Sequence, residues 1–143
     1  MEVTELKHRN RTTINESLQL YNKHTSNTRL GYRNNFLVCI GNQYKRVNTD
    51  EISFFYAEGN IVYLVKKDNR KMIIDFSLEQ IITQLNPKHF FQVSRSLLVC
   101  SSCITKIHKY FNSRLKLEVY PVHSSDVLVT RSRVQDFLAW LNY

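Results

Sequence analysis

The chain has 143 residues, a formal net charge of +8 at pH 7 and a hydrophobic fraction of 43%. This length and hydrophobic content exclude a chain that is disordered throughout and predict one compact domain with an extension, able to bury a core without disulfides. The positive charge suits a polyanion or an anionic membrane surface equally, and by itself it gives no sequence specificity.

The first part of the chain, residues 1–35, is polar and contains one predicted helix, at residues 14–23, behind a capping box. Residues 22–35 hold few apolar side chains and are typical of a linker, so we place the domain boundary near Asn35. A single helix with one narrow apolar stripe does not fold alone. We therefore expect this helical linker either to dock on the domain or to have lost a neighbouring domain.

From residue 36 the pattern changes to short apolar runs at β spacing, separated by turn dipeptides. Consecutive hairpins imply antiparallel pairing, because parallel strands need crossovers of a dozen or more residues. The run at residues 61–65 is apolar on both faces, so we expect it to be covered on both sides. The predicted strands of this group are residues 36–40, 43–47, 52–57, 61–66 and 71–76, with turns at Gly41-Asn42, Gly59-Asn60 and Asp68-Asn69.

The second half of the domain predicts two short helices and further strands. Apolar side chains spaced at i, i+3, i+4 and i+7 predict a helix over residues 77–85 and a last helix opened by residues 130–133. The fold class is therefore mainly β, with about ten short antiparallel strands and two short helices. The apolar stripes are Leu78, Ile81, Ile82 and Leu85, with Ser77 and Gln80 as a capping box, then Val134, Phe137, Leu138 and Leu141. The strands are residues 91–93, 97–100, 104–107, 114–120 and 126–129, with Asn112-Ser113 as the turn before residues 114–120, where Leu115, Leu117 and Val119 alternate inward.

Cys100 and Cys103 have the CxxC spacing of a redox dithiol or half a zinc site, with His108 and His123 as candidate further ligands. A redox CxxC usually begins a helix, whereas this one ends one predicted strand and precedes another. No second CxxC occurs. Packed free thiols are the preferred interpretation, and an odd cysteine count without a secretion signal favours reduced thiols in the cytoplasm. We expect neither a metal nor another cofactor.

Catalysis has little support in the sequence. No GxSxG, HExxH, Walker or dinucleotide-binding motif occurs, and three glycines are too few for a phosphate-cradling loop. Carboxylates such as Glu58 and Asp68 stand at turns without a paired arrangement and are predicted to be solvated charges. No apolar run approaches the ~20 residues that span a bilayer. We therefore expect a soluble, cytoplasmic protein that is not an enzyme.

Basic and polar residues cluster at predicted turns. Arg131 and Arg133 open the last helix, where a cation is unfavourable by ~0.3 to 1 kcal/mol and where free backbone amides suit a phosphate. Asn60 follows a tight turn, and residues 94–96 (Ser-Arg-Ser) interrupt an apolar run. Arginine can bond guanine, asparagine can read adenine, and serine can hold phosphate. If the sheets align these ends, they form one donor-rich edge.

Three segments carry a family resemblance: FLVCIGNQYKRVNTDEISFFYAEGNIVYLV, FFQVSRSLLVCSSCITKIHKYFNSRLKLEV and DVLVTRSRVQDFLAWL. Together they resemble the LytTR-type DNA-binding domain, especially in the C-terminal half of bacterial two-component response regulators. The resemblance covers about residues 36–142 in order, and its combination of motifs is specific although each motif is loose. It implies an elongated domain of about ten mostly antiparallel strands with short helices, whose loops enter successive major grooves of promoter DNA.

The resemblance also implies which residues contact DNA. In the family, the turn after an IxYFxAEGN-like strand supplies a base contact, and two further elements contribute their central polar residues. The chain departs from the family pattern at Gln92, Ser94 and Cys100, where Arg, His and Asn are more widespread, and these departures bear on the target sequence more than on DNA binding. The matching positions are Asn60 or Ile61, then Ser94, Arg95 and Ser96, then Thr130, Arg131 and Ser132, with Arg133 as a further phosphate contact.

The sequence thus predicts a sequence-specific double-stranded DNA-binding domain of a transcriptional regulator, binding paired direct repeats as two protomers. The N-terminal segment resembles the connector after a receiver domain, and a receiver would need roughly 120 further residues. A fragment of a response regulator and a free-standing version both fit. The main rival is a non-catalytic basic β module that docks on an acidic protein or a membrane surface. A weaker one is a metal- or thiol-dependent enzyme using Cys100, Cys103 and a histidine.

Overall fold

The computed structural model describes residues 31–142, so the helix predicted at residues 14–23 lies outside the described part. Ten β-strands and two α-helices follow one another in that part, and each predicted strand and helix from residue 36 onward is confirmed, with strand ends shifted by three residues at most. The strands are β1 (Asn35–Ile40), β2 (Gln43–Asn48), β3 (Ile52–Glu58), β4 (Ile61–Lys66), β5 (Lys71–Ile74), β6 (Phe90–Ser94), β7 (Leu97–Cys100), β8 (Ile104–Tyr110), β9 (Arg114–Val119) and β10 (Val127–Val129); the helices are α1 (Leu78–Gln84) and α2 (Val134–Leu141).

The strands form three antiparallel sheets: a hairpin of β1 and β2, a five-stranded sheet in the order β5-β4-β3-β7-β6, and a three-stranded sheet in the order β10-β9-β8. Gly41 and Gly59 have φ of 60° and 61°, and Asn69 has φ of 73°. Tight hairpins need such left-handed residues, which glycine and asparagine tolerate best. The predicted turn dipeptides therefore set the strand register.

The core centres on β3, the middle strand of the largest sheet. Its first five residues, Ile52 to Tyr56, are all buried. The expectation that residues 61–65 are covered on both sides is wrong at the start of β4, because Ile61 lies at the turn and is 41% exposed. Only Leu64 and Val65, further from that turn, are fully buried. Burial along β3 and β4 thus increases away from the turn that joins them.

Both helices close the core. Ser77 caps α1 as predicted: the amide of Gln80 donates to its hydroxyl (3.1 Å) and its own amide donates to the Gln80 side chain (3.0 Å). In α2 the predicted stripe is wrong at Leu138, which is 46% exposed. Trp140 packs against the domain instead. Its ring centre lies 5.2 Å from that of Phe91, and its indole N–H donates to the carbonyl of Pro87 (2.7 Å).

The three-stranded sheet buries only one of its faces. Leu115, Leu117 and Val119 of β9 point inward as the alternation predicts, whereas β8 contains no fully buried residue. β8 continues three residues beyond its predicted end because Tyr110 still pairs with Arg114. The turn between these strands, residues 111–113, is therefore presented to solvent.

The chain before β1 also touches the domain. The amide of Arg33 donates to the carbonyl of Gln84 (2.8 Å), and the amide of Thr49 donates to the carbonyl of Asn34 (2.8 Å). Arg33 is 3% exposed, with its guanidinium 4.8 Å from the ring centre of Phe36. Residues 33 and 34 thus pack on the β-domain, while the domain boundary near residue 35 stays a prediction.

Candidate nucleic-acid interface

Two of the predicted site segments are brought together by the pairing of β3 with β7. Because these strands are antiparallel, the end of β3 lies beside the start of β7, with Tyr56 opposite Leu97. The amide of Ala57 donates to the carbonyl of Ser96 (2.9 Å). The β3–β4 turn, with Asn60 and Ile61, therefore adjoins the β6–β7 turn of residues 94–96.

The third predicted segment joins the same edge through β6. The amide of Thr130 donates to the carbonyl of Val93 (3.1 Å), next to the β6–β7 turn. The three segments thus follow one another along a single edge of the molecule, in line with the expectation of one donor-rich edge. We call this surface the loop edge; it comprises Asn60, Ile61, Ser94, Arg95, Ser96, Thr130, Arg131, Ser132 and Arg133.

The middle turn of the loop edge is held by its own serines. The hydroxyls of Ser94 and Ser96 lie 3.5 Å apart, and the amide of Ser96 approaches the hydroxyl of Ser94 at 3.4 Å. Arg95, between them, is exposed. The turn thus presents a guanidinium to solvent from a hairpin whose flanking side chains contact each other.

The third segment divides into exposed and internal groups. Residues 131–133 form a turn of 3-10 helix, and the α-helix itself begins at Val134, later than the sequence suggested. Arg131 and Ser132 are exposed, whereas Arg133 is half-buried and its Nη1 donates to the carbonyl of Gln92 (3.0 Å). Arg131 therefore faces solvent, and Arg133 ties the turn to β6.

Charge is distributed unevenly around the domain. In residues 31–142 every ion pair involves cations away from the loop edge, such as Lys66 and Arg70 with Asp68, each at 3.5 Å. In that same part of the chain the guanidiniums of Arg95 and Arg131 have no ion-pair or hydrogen-bond partner. Two unpaired guanidiniums on exposed turns suit the oxygens of a phosphate backbone or the acceptor edge of guanine.

A neighbouring segment was missed by the sequence reasoning. β9 begins where β10 ends, with Leu115 opposite Val129, so the β8–β9 turn lies beside Arg131. An open groove there is lined by Ser113, Arg131, Ser132, Val134 and Gln135. The sequence marked Asn112-Ser113 as a turn, but only the pairing of β9 with β10 places that turn at the loop edge.

The cysteines occupy structural positions. Cys100 and Cys103 are buried free thiols at the end of β7 and in the following turn, and the Cys100 sulfur lies 3.2 Å from the Ser102 hydroxyl. Burial raises the pKa of the Cys103 thiol to about 11, which opposes formation of the reactive thiolate. In the part of the chain that the structure describes, no three histidine, cysteine or carboxylate side chains form a group that could hold a metal ion.

Two of the turn carboxylates are at least partly exposed and also accept hydrogen bonds from backbone amides. A carboxylate oxygen of Glu51 accepts the amide of Asn48 (2.9 Å), and Asp68 accepts the amide of Arg70 (3.0 Å). The latter hydrogen bond, supported by the charges of Lys66 and Arg70, lowers the pKa of Asp68 from its ordinary value. These acids stabilise turns and show no paired arrangement for proton transfer. Neither described helix is long and apolar enough to cross a membrane.

Comparison with known proteins identifies the family. The family model of the LytTr DNA-binding domain matches residues 42–142. Among solved structures, the fold is similar to the LytTr DNA-binding domain of a protein described as a methyl-accepting/DNA response regulator from Bacillus cereus, with a TM-score of 0.68 and 17% sequence identity over 78% of this chain and 99% of that one. The structural likeness shows the shared fold, and the family match covers most of the described domain. This chain therefore belongs to the LytTR family of DNA-binding domains.

Proposed function

We propose that this chain reads double-stranded promoter DNA sequence-specifically, as the output domain of a cytoplasmic transcriptional regulator. The observation that carries the proposal is the alignment of three separate turns along the loop edge, two of which expose an unpaired arginine. A row of turns that project from a rigid sheet can enter a groove, whereas phosphate attraction alone needs no such alignment.

The chemistry of the three turns supports a division of labour. Arg95 and Arg131 are the residues we assign to guanine edges or adjacent phosphates, because bidentate arginine pairs suit both. Asn60 or Ile61 supplies the base contact of the first turn, and the serines and Thr130 position the backbone. Arg133 donates internally to Gln92, so its remaining donors are the ones available to a phosphate.

Partners follow from the same reasoning. We infer two protomers on direct repeats, because one domain with three short turns covers a small stretch of duplex. A receiver domain joined through the N-terminal segment would supply the regulatory signal. The DNA-reading chemistry proposed here uses only side-chain and backbone donors, without a cofactor.

Selection from a random double-stranded DNA pool at ~0.15 M salt tests the proposal, because salt suppresses nonspecific phosphate attraction. We expect enrichment of a short motif, repeated at a fixed spacing. Equal retention of all sequences would contradict sequence reading and favour the alternative, a basic β module that docks on an acidic protein or a membrane surface. Retention of no sequence would contradict DNA binding by the isolated chain.

That alternative has one observation in its favour, which is the exposed aromatic and aliphatic side chains in the segments that connect the strands of the three-stranded sheet. Phe111, Tyr120 and Val122 are 74%, 64% and 83% exposed. Vesicles of anionic lipid give the direct test: salt-sensitive binding to vesicles together with no preference among duplexes would establish the alternative.

A further inference from the structure

We propose that the tip of the β8–β9 hairpin, residues 109–114, is a fourth DNA-contacting element that places Phe111 in the minor groove beside the major groove entered by Arg131. This inference rests on the proposed function and extends it to a segment that carries none of the predicted contacts. We call residues 109–114 the hairpin tip, and they lie next to the third turn of the loop edge.

The position of the hairpin tip follows from strand register. Val129, the last residue of β10, pairs with Leu115, the second residue of β9. The chain therefore leaves β10 toward Arg131 at the same end of the sheet where it enters β9 from Ser113. Ser113, Arg131 and Ser132 line one groove. A duplex seated on Arg131 would thus run past the hairpin tip.

The charge of the hairpin favours a polyanion at its tip. Residues 109–114 include Lys109 and Arg114 and no acidic residue. The acidic residue of the hairpin, Glu118, lies further from the tip. Its carboxylate oxygen is 3.9 Å from the Lys106 amine and 3.5 Å from the His108 ring nitrogen. Positive charge is therefore balanced away from the tip and unbalanced close to Arg131.

The conformation of the tip is fixed in advance of any partner. Asn112 and Ser113 have φ of 58° and 57°, which gives a sharp left-handed turn, and the Nε of Arg114 donates to the carbonyl of Phe111 (3.2 Å). The guanidinium of Arg114 also lies 5.2 Å from the ring centre of Tyr110, which meets Phe111 edge to face at 5.1 Å. The turn therefore holds Phe111 at a defined place.

Phe111 itself points to the minor groove. This residue is 74% exposed, whereas Phe36, Phe54, Phe55 and Phe137 are at most 1% exposed. Proteins that use the minor groove insert single apolar side chains such as phenylalanine against sugars and base steps. The minor groove of B-DNA is about 6 Å wide, half the width of the major groove, so a single side chain at the tip of a turn fits it. Major and minor grooves alternate along the duplex, so an element beside a major-groove reader meets the adjacent minor groove.

Hydroxyl-radical footprinting on the selected operator tests the assignment, because the radical reports minor-groove sugars. The duplex carries roughly ten base pairs of flank, one helical turn, beyond the motif. We expect wild-type protein to protect sugars in one flank or in the gap between motifs. Phe111→Ala should lose that protection and bind roughly fivefold or more weakly, the lower end of an aromatic contact with a base. Lys109→Ala should lower the salt slope of log K by about one.

Val122→Ala is the matched control, since Val122 is also exposed and apolar but lies in the β9–β10 loop, at the other end of β9. It should keep both the protection and the affinity. Circular dichroism on each variant confirms that it is folded. Wild-type binding with no extra protection, or identical footprints for Phe111→Ala and wild type, would overturn this inference while leaving the proposed function intact.

Two further outcomes separate the inference from its rivals. A Phe111→Ala defect on tandem motifs but not on a duplex with a single motif would mean that the hairpin tip touches a second copy of the chain, which overturns a DNA contact. No footprint and no affinity for any duplex by wild type would overturn the proposed function, and the inference with it.

Discussion

The β4–β5 turn and the loop edge use basic residues differently. At the β4–β5 turn, Asp68 accepts the amide of Arg70 and pairs with the side chains of Lys66 and Arg70. At the loop edge, within the described residues, Arg95 and Arg131 have no such partner. The cations of the β4–β5 turn stabilise a turn of the protein itself, whereas the guanidiniums of Arg95 and Arg131 are exposed and available to an external anion. Net charge alone does not make this distinction.

The largest expected effect concerns the buried core that supports both the β4–β5 turn and the loop edge. Phe55 is fully buried in β3, with its ring 5.6 Å from that of Phe36 and 6.1 Å from that of Phe90. Phe55→Ala should lower the free energy of unfolding by ~3 to 5 kcal/mol, from lost burial and a residual cavity. Urea denaturation followed by circular dichroism measures it. Phe111→Ala is the matched control, and an exposed phenylalanine should change stability by no more than ~0.5 kcal/mol.

Equal losses in the free energy of unfolding for Phe55→Ala and Phe111→Ala would contradict the view that the buried sheet, and not the turns, stabilises the domain. The turns are accurately placed only if the sheet contributes most of the free energy of unfolding and the turns contribute little. A stability loss confined to Phe55→Ala would show that Phe111 at the hairpin tip contributes little to folding and is free to serve binding.

The next effect, on DNA affinity, distinguishes the loop edge from the β4–β5 turn directly. Arg95→Ala and Arg131→Ala should each weaken binding to the selected duplex by ~1 to 3 kcal/mol if the arginine reads a base, with relaxed specificity at that position. A uniform loss on selected and scrambled duplexes would instead mark a phosphate contact. Fluorescence anisotropy at fixed salt gives both affinities.

Arg70→Ala supplies the charge-matched control, since Arg70 belongs to the β4–β5 turn and pairs with Asp68. Its removal should leave DNA affinity nearly unchanged. If Arg70→Ala weakened binding as much as Arg131→Ala, binding would follow total charge rather than the loop edge. Unchanged binding by Arg95→Ala, Arg131→Ala and their double variant would overturn the site assignment.

Most of the fold was accessible from local patterns because hairpin turns and side-chain periodicity are local. The capping box of Ser77 and the alternation in β9 were predicted correctly for this reason. The error in the predicted stripe of α2 involves a long-range contact. Trp140, rather than Leu138, packs against the core, and its N–H donates to the carbonyl of Pro87, 53 residues away in sequence. Local spacing carries no information on such a contact.

The candidate site shows the same division. The three turns could be named from the sequence through the family resemblance, but their alignment depends on strand pairing, as when Thr130 bonds Val93. The internal bond from Arg133 to Gln92 and the approach of Ser113 to Arg131 are also products of tertiary packing. The sequence therefore predicted which residue types are available, and the fold determines which of them face outward together.

A smaller effect separates two arginines of one turn. Arg133 donates to the Gln92 carbonyl and is half-buried, whereas Arg131 is exposed. Arg133→Ala should lower the free energy of unfolding by ~1 kcal/mol, the scale of one net hydrogen bond, and Arg131→Ala should leave it unchanged. Urea denaturation of both variants is the measurement, and Arg133→Lys should restore part of the loss. Equal stability of the two alanine variants would contradict an internal role for Arg133.

The smallest expected effect is a pH dependence at His123, whose ring lies 4.5 Å from that of Tyr56 and 5.3 Å from that of Phe54. Burial, followed by the charge of Lys71, lowers the pKa of His123 below its ordinary value of 6.5, while Glu58 acts weakly in the opposite direction. Between the two pKa values the unfolded chain binds the proton and the folded domain does not, so stability falls as the pH drops below about 6.5.

Urea denaturation at several pH values between roughly 8 and 5 should therefore show the wild type losing stability relative to His123→Gln, which cannot take up that proton. A stability difference that stays constant, or that shifts in favour of the wild type toward low pH, would contradict the lowered pKa. A protonated His123 would add a cation beside Lys71, whose amine already lies 4.5 Å from the ring centre of Tyr63. Like Arg70 with Asp68, Lys71 therefore contacts a group of the domain itself.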